Sequence, residues 1–127
     1  MIIEPPSKQS RAKATGNIGE NEACQYITDL GYEIIKRKFV YGRVGEIDIV
    51  ARDGEQLVFV EVKARTSTTR GKPEDAVDLR KQRQLKRVAE GYYYINKLTD
   101  QPCRFDVIAV DMTMPKPEIR HYKTAFY

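Results

Sequence analysis

Apolar and polar residues alternate along this chain in two distinct rhythms. Between Gly45 and Arg65 the sequence GEIDIVARDGEQLVFVEVKAR holds two apolar runs, Ile47–Ala51 and Leu57–Val62. Both are rich in β-branched residues, which suit strands. Asp53-Gly54 separates them and predicts a tight hairpin, since both central positions of such a turn favour positive φ. With those two residues as the loop, Arg52 stands opposite Glu55, Asp48 opposite Phe59, and Glu46 opposite Glu61. Asp48, Phe59, Glu61 and Lys63 then share one face of the sheet, and Val58, Val60 and Val62 point to the other. Asp48 and Glu61 become diagonal neighbours, near enough for both carboxylates to reach one ion.

The helical rhythm occurs twice. Ala23, Cys24, Tyr26, Ile27 and Leu30 form one stripe, predicting a helix from about Asn17–Gly19 to a C-cap at Gly31. Ala76, Val77, Leu85, Val88, Ala89, Tyr92 and Ile95 form a second stripe, predicting a helix over Asp75–Asn96. Lys81 falls on its apolar side, whereas Arg80, Arg83 and Arg87 point more outward. Further strands are expected over Tyr32–Val40, Arg104–Asp111 and Ile119–Phe126. The order α, β, β, β, α, β, β gives an α/β domain, a mixed sheet covered by helices. Residues 1–16 read as a disordered basic arm, and residues 17–127 as a single domain. Thr66–Glu74 reads as a polar loop leaving the strand just beyond Lys63, placed to lie over it.

Composition narrows the function classes. The 127 residues suffice for one core, and no apolar run approaches the ~20 residues that span a bilayer. The start MIIEPPSKQSRAK lacks the apolar region of a signal peptide, so a cytoplasmic location is expected, with no membrane partner. Cys24 and Cys103 are expected as free thiols. With one His and no CxxC pair, zinc is not expected. The net charge of +4 permits a nucleic-acid partner. Its basic residues are clustered: Arg65, Arg70 and Lys72 near the strand end, and Arg80, Lys81, Arg83, Lys86 and Arg87 on one helix. Such a run is ordinarily a solvated helix face; beside carboxylates suited to metal, phosphate becomes the better reading.

The acids carry the candidate chemistry. Placing Asp48, Glu61 and Lys63 beside Phe59 is costly unless the charges are paired or metal-bound. A solvated Glu61–Lys63 pair is the bland alternative. The apolar character of the second strand favours a metal site. Hard oxygen ligands suit Mg2+, with Mn2+ as a substitute. Glu20 lies on the inward side of the first helical turn, where complementing the helix dipole is the commoner role and joining the metal the other. Tyr92-Tyr93-Tyr94 suit packing at a helix end more than base stacking. Asp106 is expected to pair with an Arg or Lys, and His121 to be structural.

These residues carry a resemblance. Asp48 followed by Glu61-Val62-Lys63 at a strand end resembles the PD-(D/E)xK pattern of restriction-endonuclease-like nucleases. The order helix Glu, strand Asp, strand ExK is similar to archaeal Holliday-junction resolvases. From Gly19 to Phe126 the chain resembles the YraN-type bacterial family of predicted endonucleases. The matching stretches are Gly19-Glu20, GEIDIVAR from Gly45, VFVEVKAR from Val58, Ala76-Val77 with Lys81, RFDV from Arg104, and Ala125-Phe126. The resemblance implies a three-layer core and a metal-dependent endonuclease acting on DNA, including branched or recombination intermediates. It implies Glu20, Asp48, Glu61 and Lys63 as the catalytic set. Asp48, Glu61 and the Val62 carbonyl would be metal ligands, with Glu20 near, and Lys81 and Gln84 in support. Glu46-Ile47 replaces the Pro that commonly precedes the Asp. A homodimer would use the exposed edge of the last strand. The alternatives are a non-catalytic nucleic-acid-binding module serving a partner protein, and an interaction domain whose acids form a salt-bridge network.

Overall fold

The strand bearing Glu61 and Lys63 lies in the middle of the sheet. A computed structural model of the chain describes residues 8–66 and 77–127, with side chains from Thr15 onward. Its elements are α1 (Lys8–Asp29), β1 (Glu33–Tyr41), β2 (Gly45–Asp53), β3 (Gln56–Arg65), α2 (Leu79–Ile95), β4 (Cys103–Asp111) and β5 (Glu118–Phe126). The five strands form one sheet in sequence order. β3 and β4 pair parallel and the other neighbours antiparallel, so the sheet is mixed, as expected.

A helix covers each face. On one side Ala23 and Ile27 of α1 pack on Ile49, Ala51, Val58, Val60, Ile108 and Val110. On the other Leu85, Val88, Ala89 and Tyr92 of α2 pack on Val50, Leu57, Phe59, Phe105 and Val107. This is an α/β core with a five-stranded mixed sheet between two helices, consistent with a restriction-endonuclease-like fold. No described helix is long and apolar enough to cross a membrane.

Three details depart from the sequence reading. α1 begins at Lys8, so residues 8–16 are helical where an irregular arm was expected. The run KQSRAKA consists mainly of good helix formers, which extend a helix docked further along. α2 begins at Leu79 instead of Asp75, because the Asp78 side chain caps it by accepting from the Lys81 N–H. The hairpin loop is Gly54-Glu55, and Asp53 pairs with Gln56. Among the described residues only Gly54 in that loop has positive φ, as a turn with glycine at its first central position requires. Asp53 stays in the strand, where its carboxylate accepts from Arg104. The register shifts by two residues, an even number, so Val58 and Val60 keep their expected face.

Arg104 and Asp106 form a polar knot under α1. Asp106 is fully buried, yet it accepts from Arg104 Nε at 3.0 Å and the Thr124 N–H at 3.0 Å, and bonds His121 Nε2 at 2.7 Å. Burial alone would raise the Asp106 pKa; these three partners together hold it below the usual carboxylate range. Arg104 also donates to Gln56 and to the Tyr32 hydroxyl, tying β4 to the hairpin and to the residue before β1. The expected basic partner of Asp106 and the structural role of His121 are both found.

Candidate metal centre

The site grows from a break in the ladder between β2 and β3. Their recorded pairing runs from Asp53–Gln56 up to Ile49–Val60 and stops there. One residue further, Asp48 turns its side chain to β3, and its Oδ2 accepts from the Val62 N–H at 2.8 Å. The carboxylate thus replaces a backbone acceptor. Ile47 packs in the α2-side core and Ile49 in the α1-side core, although residues two apart in a regular strand share a face. The alternation breaks at Asp48. Asp48 therefore does not share a flat face with Phe59, Glu61 and Lys63 as expected; it stands at the edge of the opened ladder.

β1 shows the matching irregularity. Lys38 lies between the pairs Arg37–Ile49 and Phe39–Ile47, hence opposite Asp48. Its φ is +55°, inside a strand and without glycine's freedom. Such a residue costs about 1–2 kcal/mol unless its surroundings hold it there.

The structure brings Asp48 and Glu61 together. Glu61 is 6% exposed, and its Oε2 is buried without a hydrogen-bond partner among the described residues. Lys81 Nζ, from α2, stands 3.7 Å from that oxygen, and Lys63 Nζ stands 4.0 Å from Oε1. The Glu61 pKa is pushed up to about 8. Burial is the main cause; the charge of Asp48 and a hydrogen bond with it add to the rise, while Lys81 and Lys63 oppose it. Burial and the neighbouring Asp48 charge thus outweigh the two ammoniums and favour the protonated form of Glu61.

Glu20 reaches the same region from α1. A Cβ at Gly19 would collide with Ala64 of β3, so only glycine lets the helix approach this closely. Glu20, Lys38, Asp48 and Val62 line a common cavity of about 210 Å³. Both Glu20 oxygens are engaged, Oε1 by Arg37 Nε at 2.9 Å and Oε2 by Lys38 Nζ at 3.0 Å. Among the described residues no three His, Cys, Asp or Glu side chains converge as a ready metal set.

The supporting residues divide. Gln84 donates from Nε2 to the Val44 carbonyl at 2.9 Å, fixing the turn into β2. Gly45, at φ +155°, lies against the same amide, and a Cβ there would strike it. Arg65 turns to Asp111 of β4, with NH2 to Oδ2 at 3.8 Å. Arg70 and Lys72, with residues 67–74 of the polar loop, lie outside the described residues. Arg80, Lys81, Arg83, Gln84 and Arg87 line an open groove of about 590 Å³, with Asp78 its sole acid among the described lining residues. Lys81 belongs both to this groove and to the Glu61 pair. Tyr92 is buried against Phe39 and Phe59, whereas Tyr94 is exposed.

Sequence reasoning passed over Arg37 and Lys38. The signal was the run Lys36-Arg37-Lys38, three cations in a strand beside an acidic one. Its meaning depended on the β1–β2 register, which the pattern alone did not fix.

The model of the uncharacterised protein family UPF0102 matches residues 19–110. A UPF0102 protein of Lachnoclostridium phytofermentans is 46% identical over 115 residues, covering 90% of this chain and 93% of that protein. One from Acetivibrio thermocellus is 43% identical over 104 residues, covering 82% and 80%. One from Caldanaerobacter subterraneus subsp. tengcongensis is 37% identical over 122 residues, covering 94% and 99%. The chain therefore belongs to the uncharacterised protein family UPF0102, the YraN-type family that its motifs resembled.

Proposed function

We propose that this protein is a Mg2+-dependent endonuclease that hydrolyses phosphodiester bonds of DNA. The observation that carries the reading is Glu61. A buried carboxyl beside a second carboxyl, with an oxygen lacking a hydrogen bond, is poor economy for a salt-bridge network and good preparation for a hard cation. The donor set fits Mg2+: Asp48 and Glu61 would hold it with the Val62 carbonyl, and Glu20 stands across the cavity. Held there, Mg2+ would polarise a phosphate of the substrate and lower the pKa of a bound water.

The chain's own residues do the rest. Lys63 lies beside Glu61 and can stabilise charge building on the phosphate oxygens, or hold the attacking water by its lone pair. Lys81 links the centre to the groove of α2, where Arg80, Arg83 and Arg87 suit a polyanionic backbone. Gln84 holds the turn that leads into Asp48. Neither Lys63 nor Lys81 makes a short hydrogen bond to Glu61, so both ammoniums keep donors for a ligand.

A second reading is a nucleic-acid-binding module without its own catalysis. It is favoured by Glu20, whose oxygens are taken by Arg37 and Lys38 so that no third acid converges among the described residues. One assay separates the two. Linear duplex, single strand, flap and four-way junction DNA would be incubated with Mg2+ or Mn2+ and wild type or Asp48→Ala. Products that need metal and vanish with Asp48→Ala support the nuclease. Salt-sensitive binding with no product from any substrate transfers the conclusion to the binding module.

A further inference from the structure

Arg37 and Lys38 are consecutive residues of a strand, yet both grip the carboxylate of Glu20. In a regular strand consecutive side chains leave opposite faces, and one of them would miss. The left-handed backbone at Lys38 removes that alternation. The outlier therefore has a visible result: it delivers an ammonium to Glu20 and to the cavity lined by Asp48 and Val62. Lys38 stands opposite Asp48 in the ladder.

We infer that the Lys38 ammonium takes the place of a second divalent cation on the Glu20 side of the centre, so that the protein binds a single divalent ion at Asp48 and Glu61. This rests on the metal-centre reading above and goes beyond it by fixing the stoichiometry. Three observations point the same way. The ammonium sits where an acid from α1 and an acid from β2 share a cavity, the arrangement that could otherwise bridge to a further ion. Its contact with Glu20 Oε2 is 3.0 Å, a charge-assisted hydrogen bond that occupies the oxygen a metal would need. Its backbone is left-handed opposite Asp48, where β2 also leaves the regular alternation, and this turns the ammonium to Glu20. Glu20, on this view, neutralises and positions Lys38 and is not itself a ligand.

The test counts ions and does not depend on cleavage. Mn2+ would be titrated into the full chain, with free Mn2+ followed by electron paramagnetic resonance and heat by calorimetry. Wild type is expected to bind one Mn2+ per chain. Lys38→Met, which keeps the apolar stem and frees Glu20 Oε2, is expected to bind two. Lys38→Gly, which suits φ +55°, is expected to do the same and guards against a folding defect in the first variant. Two ions in wild type, or one in all three proteins, would overturn the inference and leave the metal centre standing. No binding by wild type would remove the metal centre, and the inference with it. Asp48→Asn should lose the first ion, which assigns it to Asp48.

Discussion

Glu61→Gln should make the metal-free protein more stable at neutral pH, and the size of the gain follows from the site. The folded-state pKa of Glu61 is about 8 against an ordinary 4.5. Below pH 4.5 the carboxyl is protonated in both folded and unfolded chains and carries no penalty. Between 4.5 and 8 the unfolded chain releases a proton that the folded chain keeps, so stability falls as pH rises. Each pH step in that window costs about 1.4 kcal/mol, which gives about 3 kcal/mol at pH 7. Glutamine has nearly the same shape, never ionises, and can donate to Asp48. Urea unfolding in EDTA at pH 5, 6, 7 and 8 would measure the difference between the two proteins, in which titrating groups away from the centre cancel. The gap should be about 1 kcal/mol or less at pH 5 and widen to about 3 at pH 7. Saturating Mg2+ or Mn2+ should close or reverse it, because a bound cation displaces the proton and stabilises wild type alone. A gap that stays constant from pH 5 to 8 would refute the reasoning, since it would mean that Glu61 ionises normally.

Gly19→Ala should cost about 1–3 kcal/mol, read from the same urea curves, because its Cβ meets Ala64 and pushes α1 off the sheet. Arg104→Met should cost about 3–5 kcal/mol by leaving the buried Asp106 short of a cation; a loss below 1 kcal/mol would show that His121 and the Thr124 N–H suffice. The contribution of Asp106, whose pKa is lowered, should persist above 3.8 and fade only as pH falls through its folded value, visible as acid unfolding that shifts with this variant. Charge reversal at Arg80, Arg83 and Arg87 should weaken DNA binding and flatten its dependence on salt by about 0.9 in log–log slope for each phosphate no longer neutralised, measured by fluorescence anisotropy.

Much of this fold was legible because patterning and layer are linked. Val58 and Val60 had to be buried under a helix, and the stripes Ala23–Ile27 and Leu85–Tyr92 had to supply one each. The faces even survived a wrong hairpin loop, since the true register differs by two residues. What the pattern left open was set by tertiary contacts. Asp53 is drawn into the strand by Arg104, 51 residues further along the chain. Asp48 abandons its face because the ladder ends beside it, and the backbone N–H of Val62 needs an acceptor. The grip on Glu20 depends on a left-handed residue in the middle of β1, a position where no turn residue announces it. The start of α1 at Lys8 reflects helix propensity extending beyond the apolar stripe on which the sequence reading relied.

The parallel pairing of β3 with β4 also joins segments that lie far apart along the chain. β3 ends at Arg65, but its second neighbour begins at Cys103, beyond the whole of α2. A nascent or truncated chain that stops short of Cys103 lacks β4, so one rim of LVFVEV is without its partner strand. Such a rim is the kind of segment that seeds aggregates. Glu61 within it, and Lys63 and Arg65 after it, are the charges that discourage that pairing. The acid that strains the finished, metal-free domain is therefore a gatekeeper of the unfinished one. A chain carrying Glu61→Gln gains stability once folded and gives up protection on the way there.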